Sequence, residues 1–234
     1  MPQTTRGLAT RQGILEVATA IASVEGLEGL TLGRLATDLS MSKSGLFAHF
    51  GSKEDLQLAT IEHARQIYVD QVILPGLADA PGIATLYRLC DRYLALMEQR
   101  AFPGGCFFAA AMAEFDARPG VVRDTIAMLQ RQWLDLLERA ARDGVRLGEL
   151  NRGVDSVQLG FELEAAMLSA NWYFHLYSDA RFFVLSRAAV QRTLRAAATS
   201  KGRRMLEGTE EVVRQGAERA LLRVRRAAQG RTDR

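Results

Sequence analysis

Residues 31–55 run TLGRLATDLSMSKSGLFAHFGSKED, and their spacing predicts two short helices joined by a tight turn. Thr31 can cap the first helix by accepting a backbone N–H, after which Leu32, Leu35, Ala36 and Leu39 recur at the three-and-four interval of one apolar face. Ser40, Met41 and Ser42 interrupt that pattern. Ser42 can cap a second helix over Lys43–Phe50, in which Leu46 and Phe50 stand one turn apart and point inward. Ser44, Gly45 and Ala48 then lie roughly opposite, Phe47 and His49 flank the outer face, and Lys43 sits at the leading end. Small outer residues let a helix enter the major groove of DNA closely. Gly51 ends this helix and Ser52 caps a third, so Lys53 is placed to meet a phosphate. Such a contact positions a reader without selecting a sequence.

The joined pattern T-x-x-x-LA-x-x-L-x(4)-S-G-L-F-x-H-F-x-S-K-E-x-L resembles the DNA-binding domain of TetR/AcrR-type transcriptional regulators over about residues 8 to 60. The resemblance implies that His49 and Lys53 contact phosphate and that Lys43, Ser44, Gly45 and Ala48 face bases, with Thr31 counted among the DNA-binding residues. In that family the Phe47 position usually carries Tyr, whose hydroxyl grips a phosphate; Phe47 offers apolar contact only. Because the base-facing side chains are mostly small, few direct base hydrogen bonds are expected.

Outward from the reader, helix signals dominate and alternating strand patterns are scarce, so the chain is expected to be all-α. A first helix is predicted over about Leu8–Val24, backing the reader through Ile14, Leu15, Ala18, Ile21 and Ala22. A fourth runs from Lys53 to about Leu74 and is stopped by Pro75 and Gly76; others begin at Pro81 and Cys106. Pro119 opens a long helix to Arg142, ended by Gly144, and Asp155 and Asp179 open two more, to about Tyr177 and Ala198. The division expected is a helix-turn-helix domain over 1–53, a ligand-binding and dimerisation domain over 54–200, and a basic extension over 201–234.

With 234 residues and a formal net charge of +3, the chain is only mildly basic, and distribution says more than the sum. Residues 1–53 carry five Lys and Arg against four Asp and Glu, residues 54–200 fifteen against eighteen, and residues 201–234 ten against five. DNA affinity is therefore expected from placed contacts by Arg6, Arg11, Lys43, His49 and Lys53, weakening with salt. In the extension, Val213, Ala217, Ala220, Leu221 and Val224 form a helical stripe ringed by arginines, open to a solvated flank, a partner contact, DNA or a membrane surface.

Two cysteines are too few for a disulfide framework, and no N-terminal apolar run follows a basic start, so a cytoplasmic protein is expected. No apolar run reaches membrane-spanning length. His49, His63 and His175 lie far apart, and no phosphate-cradling glycine loop occurs, so neither a metal, a cofactor nor an enzyme is expected. Cys106, beside glycines at a predicted helix start, reads either as a thiol of lowered pKa open to redox chemistry or as an inert buried residue.

Phe107, Phe108, Met112, Phe115, Met128, Trp133, Met167 and Trp172 lie on several helices that can pack either as plain core or around an apolar pocket, with Tyr173 beside them. Asn171 and His175 join Arg92, Glu114 and Tyr173 as candidates to orient a ligand there. The segment GGCFFAAAMAEFDARPG resembles a C-terminal subtype of TetR-type regulators, which implies a small effector in this part of the chain. Broad apolar surfaces on the last two long helices, including Leu159, Leu163, Ala166, Ala170, Phe182, Leu185, Ala189 and Leu194, suggest a four-helix interface between two copies. A two-fold dimer addresses half-sites roughly 34 Å apart, so the operator is expected to be pseudo-palindromic. These expectations add up to a dimeric regulator, most simply a repressor released by a small apolar effector. A ligand-binding or catalytic helical domain with a vestigial reader is the alternative, and operator binding separates the two.

Overall fold

The computed structural model describes residues 5–79 and 81–215, with the side chains of residues 5, 6 and 8 left aside, so Arg6 and the arginine-ringed stripe beyond residue 215 lie outside the described residues. Among the described residues the architecture is all-α, apart from one isolated antiparallel bridge between Leu150 and Ala198. The helices are α1 (Thr5–Glu25), α2 (Leu32–Asp38), α3 (Lys43–Phe47), α4 (Lys53–Tyr68), a π-helical turn (Val69–Ile73), α5 (Leu74–Gly76), α6 (Ile83–Glu98), α7 (Phe107–Phe115), α8 (Val121–Arg146), α9 (Ser156–Tyr177) and α10 (Arg181–Ala197).

The reader is built by the caps foreseen in the sequence. Thr31 accepts from the Arg34 N–H and Ser42 from the Gly45 N–H, satisfying donors that an isolated helix start leaves unpaired. Between them Ser40 adopts a left-handed conformation (φ 52°), its N–H donating to the Thr37 carbonyl and the Met41 N–H to the Ala36 carbonyl. That pair of bonds is a Schellman motif, which ends α2 and turns the chain into α3. α3 is shorter than the Lys43–Phe50 expected: after Phe47 the His49 and Phe50 N–H groups both turn back to the Leu46 carbonyl, and regular helix is lost before Gly51. Phe50 still reaches the core, with Ile14, Leu35, Leu46 and Leu56.

Two glycine and proline readings are corrected. Gly144 does not end α8; it is a buried helical residue, because its missing side chain admits Leu150, whose Cδ1 would stand 2.9 Å from a Cβ added there. The helix ends instead at Gly148 (φ 70°). Pro75 does not stop the α4 rod but continues in α5, because the preceding turn widens to π geometry and the Leu74 N–H reaches back to Val69.

α9 packs against α8 and α10, and α6 lies against α8, α9 and α10, forming the bundle. Residues 200–215 are helical as well and are docked on that bundle: Leu206 is fully buried, Lys201 Nζ donates to the Leu147 carbonyl, and Arg195 pairs with Glu210. α4 runs from the reader into the bundle, contacting α1 at one end and α8 at the other. No helix among the described residues is long and apolar enough to cross a membrane.

Candidate DNA interface and effector cavity

On the outer surface of the reader, Lys43, Ser44, Phe47 and Ala48 are exposed, Gly45 and His49 half-buried, while Leu46 and Phe50 point into the core. Phe47 is 52% exposed and presents an apolar ring on this surface. Arg11 of α1 sits over the Phe50 ring at 4.9 Å, and Lys43 passes close to Gly33, so both cations border the same surface. Thr31 is exposed but engaged as the α2 cap.

Lys53 is not free. Its Nζ donates to the Glu28 carbonyl at 2.8 Å and to Glu28 Oε1 at 2.7 Å, and the ammonium holds the Glu28 carboxyl below its ordinary range. Arg118, beyond α7, approaches the same carboxylate at 3.6 Å. A phosphate at this place must compete with Glu28 for Lys53.

The turn that carries Glu28 is also gripped from the bundle. Glu114 of α7 accepts the Leu27 N–H at 2.7 Å on one oxygen and the Glu28 N–H at 2.9 Å on the other. Its carboxylate fits because Gly26 has no side chain; a Cβ there would lie 2.8 Å from both oxygens. The Gly104 N–H donates to Ser23 Oγ at 3.0 Å, with the backbones so close that a Cβ on Gly104 would overlap the Ser23 carbonyl. His63 of α4 bonds Thr19 Oγ1 at 2.9 Å and Gln12 Nε2 at 3.1 Å, tying α4 to α1, and burial lowers its pKa.

Within the bundle a cavity of about 100 Å³ opens between the C-terminal half of α4 with its π-turn, α6, α7, α8 and α9. Of the pocket residues expected from sequence, Phe108, Met112 and Trp133 line it. Phe107, Phe115 and Met167 instead fill the surrounding core. Met128 and Trp172 are corrected to the protein surface, at 52% and 54% exposure. Helical phase explains Met128: Leu129 and Trp133 of α8 face the cavity, and their neighbour is rotated away. None of the five polar candidates lines it either. Arg92 and Tyr173 are exposed, Glu114 serves the reader turn, Asn171 accepts the Cys106 N–H at 2.8 Å, and His175 lies against Gly105.

Sequence reasoning missed Tyr68, Tyr93 and Glu164, all of which line the cavity. Glu164 was legible in principle, as a carboxylate flanked by Leu163 and Met167 in an apolar helix. Trp133 Nε1 donates to one of its oxygens at 2.7 Å and Gln130 Nε2 to the other at 3.0 Å. Burial nevertheless raises its pKa, the two donors offsetting only part of the cost of desolvation. Cys106 caps α7, accepting from the Ala109 N–H, and its thiol pairs with the Tyr68 hydroxyl at 2.8 Å. Of the two readings open for Cys106, complete burial, which pushes the thiol up, supports the inert one. Among the described residues no group of three or more His, Cys, Asp or Glu is arranged to hold a metal.

α9 has apolar residues all round. Leu159, Leu163 and Ala170, with Leu194 of α10, fill the protomer's own core, so the interface assigned to them from sequence is corrected. The other side, with Val157, Phe161, Trp172, Tyr173, Leu176 and Tyr177, is exposed, and Val184 and Leu185 of α10 extend it.

A reader of two capped helices carried on a helical bundle defines a helix-turn-helix regulator. The model for bacterial regulatory proteins of the tetR family matches residues 14–60, and that for the tetracyclin repressor-like C-terminal domain matches residues 82–190. The chain belongs to the TetR family of transcriptional regulators. Its fold is shared with a TetR transcriptional regulator from Chloroflexus aurantiacus, 21% identical over 83% of this chain and 98% of that one, with a TM-score of 0.77. A TetR-family regulator from Cytophaga hutchinsonii is 17% identical over 86% and 100% of the two chains, with a TM-score of 0.73. AibR, solved with isovaleryl coenzyme A and operator DNA, is 20% identical over 78% and 96%, with a TM-score of 0.62. No curated protein sequence matches the chain.

Proposed function

We propose that this protein is a homodimeric repressor that works in the cytoplasm, binds a pseudo-palindromic operator through the surface around α3, and leaves it when a small, largely apolar effector occupies the bundle cavity. The observation that carries this reading is the double connection between cavity and reader. Tyr68 and Val69 at the far end of α4 line the cavity while Ser52 and Lys53 open the same rod beside α3. α7 lines it with Phe108 and Met112 and reaches the α1–α2 turn with Glu114.

In this account Lys43, Ser44, Gly45 and Ala48 meet the groove, Phe47 and Thr31 pack beside them, and His49 and Lys53 hold phosphates. The division is a reader over 1–53, an effector-binding and dimerisation part over 54–200, and an extension over 201–234. The exposed apolar side of α9 and α10 supports the dimer. Ala165 and Ser169 lie midway along it, and small side chains there let two helices approach. The effector shifts the dimer toward a geometry in which the α3 pair no longer matches the half-sites, and it does so only by binding that geometry more tightly. AibR, solved with both isovaleryl coenzyme A and operator DNA, supports a small molecule and an operator as the two partners.

The test is a mobility shift with duplex from the region upstream of the protein's own gene, at two salt concentrations. A specific complex that weakens with salt is expected, and an effector should lower its affinity by roughly 5- to 150-fold, the usual span of allosteric coupling. Absence of any specific complex would overturn the proposal.

A further inference from the structure

The effector cavity encloses one carboxyl group and a set of aromatic rings. Glu164 is 6% exposed and receives only neutral donors, Trp133 Nε1 and Gln130 Nε2, one to each oxygen. Each oxygen therefore keeps a free lone pair. A buried carboxylate without a cationic partner is unfavourable, and among the described residues no cation pairs with this one. Arg65 borders the cavity, but its guanidinium is committed to Glu62 through bonds of 2.6 and 2.7 Å.

Rings stand around the carboxyl. Tyr93 stacks on Trp133 at 6.2 Å between centroids, and Tyr68 lies 6.1 Å from Tyr93 and 5.3 Å, edge-on, from Phe108. The Tyr93 hydroxyl is fully buried without a hydrogen-bond partner. Aromatic faces attract organic cations, and desolvation strengthens that attraction. A volume of about 100 Å³ admits only a compact molecule.

We propose that the effector of this cavity is a small organic cation, an alkylammonium whose charge pairs with Glu164 and whose carbon substituents lie on Tyr68, Tyr93 and Trp133. The assignment rests on the cavity being the effector site and names the chemistry that site selects. The remaining titratable groups beside Glu164 are Tyr68, Tyr93, Cys90 and Cys106, and burial pushes all four up, leaving them neutral near pH 7. Glu164 is the one carboxyl among the residues that line the cavity, and burial raises its pKa. A bound cation favours the carboxylate and so opposes that rise, and binding therefore tightens as pH rises through the range in which Glu164 ionises.

Calorimetry on the full chain without DNA tests this with tetramethylammonium against tert-butanol, and butylammonium against butan-1-ol, pairs alike in shape but not in charge. At least one cation is expected to bind about tenfold or more tightly than its alcohol, with affinity falling as pH is lowered and Glu164 takes up a proton. Glu164→Gln should abolish that preference, and if this variant does not fold, the pH profile and buffer-dependent proton release of the unaltered protein decide alone. Equal binding of the alcohols, no binding of either cation, or pH-independent binding overturns the proposal. Operator displacement is scored separately. Cation binding that leaves the operator complex intact counts against the release mechanism, whereas release by a neutral molecule seated in the cavity overturns the cation assignment by itself.

Discussion

Lys53 shows how a single side chain can serve two partners. In the free protein it neutralises Glu28 across an exposed pair, both residues more than a third accessible, so the bridge contributes little to stability. Lys53→Met is therefore expected to change unfolding free energy by less than about 1 kcal/mol. On the proposed interface it should weaken operator binding evenly across sequences and reduce the slope of log K against log salt by about 1. Fluorescence anisotropy at several salt concentrations measures both. His63 illustrates a different burden. Burial lowers its pKa, with Glu16 opposing, so the unfolded chain takes up a proton more readily than the folded one. Stability from this site is complete above the ordinary histidine range and is lost as pH falls through the lowered folded value. Thermal melting should show this loss at mildly acidic pH, and His63→Gln should reduce it, leaving the part due to His175, whose pKa burial lowers in the same direction.

At the level of elements, α7 touches both sites, as α4 does. Its inner side gives Phe108 and Met112 to the cavity, while Glu114 holds two backbone N–H groups of the α1–α2 turn. A carboxylate bonded to backbone donors in a cleft is a strong, directional link, with bonds to charged groups contributing roughly 1.5–3 kcal/mol each. Glu114→Ala is expected to destabilise the protein by about 2–4 kcal/mol. For a chain of this size that corresponds to a Tm lower by roughly 4–16 °C, read by calorimetry. The same variant should still bind effector in the cavity while showing a smaller effector-induced loss of operator affinity. Equal coupling in Glu114→Ala would assign the transmission to the α4 rod alone.

For the whole molecule, the exposed apolar band on α9 and α10 is the surface on which the proposed dimer rests. Phe161, 63% exposed on that band, is not among the residues that line the cavity. Phe161→Glu should leave the fold and the melting of the isolated protomer intact while shifting sedimentation from dimer to monomer. Operator affinity should then fall by at least about tenfold, because one half-site replaces two. A monomeric variant with undiminished affinity would separate dimerisation from operator recognition.

The reader was legible in the sequence because its determinants are local: Thr31, Ser42 and Ser52 cap their helices within three residues, and Leu35, Leu46 and Phe50 carry a clear helical phase. The cavity was legible only in part: Phe108, Met112 and Trp133 were foreseen in its lining, Tyr68, Tyr93 and Glu164 were not. α9 is apolar on every side, so the spacing of Leu159, Phe161 and Leu163 could not say which residues face the core and which a partner. Likewise nothing near Glu114 or Glu164 in the chain reveals that one grips a turn 86 residues away and the other sits under Trp133. Local capping and periodicity are fixed by neighbours a few residues apart, whereas the destination of a buried carboxylate depends on which helices pack around it, and only the assembled bundle settles that.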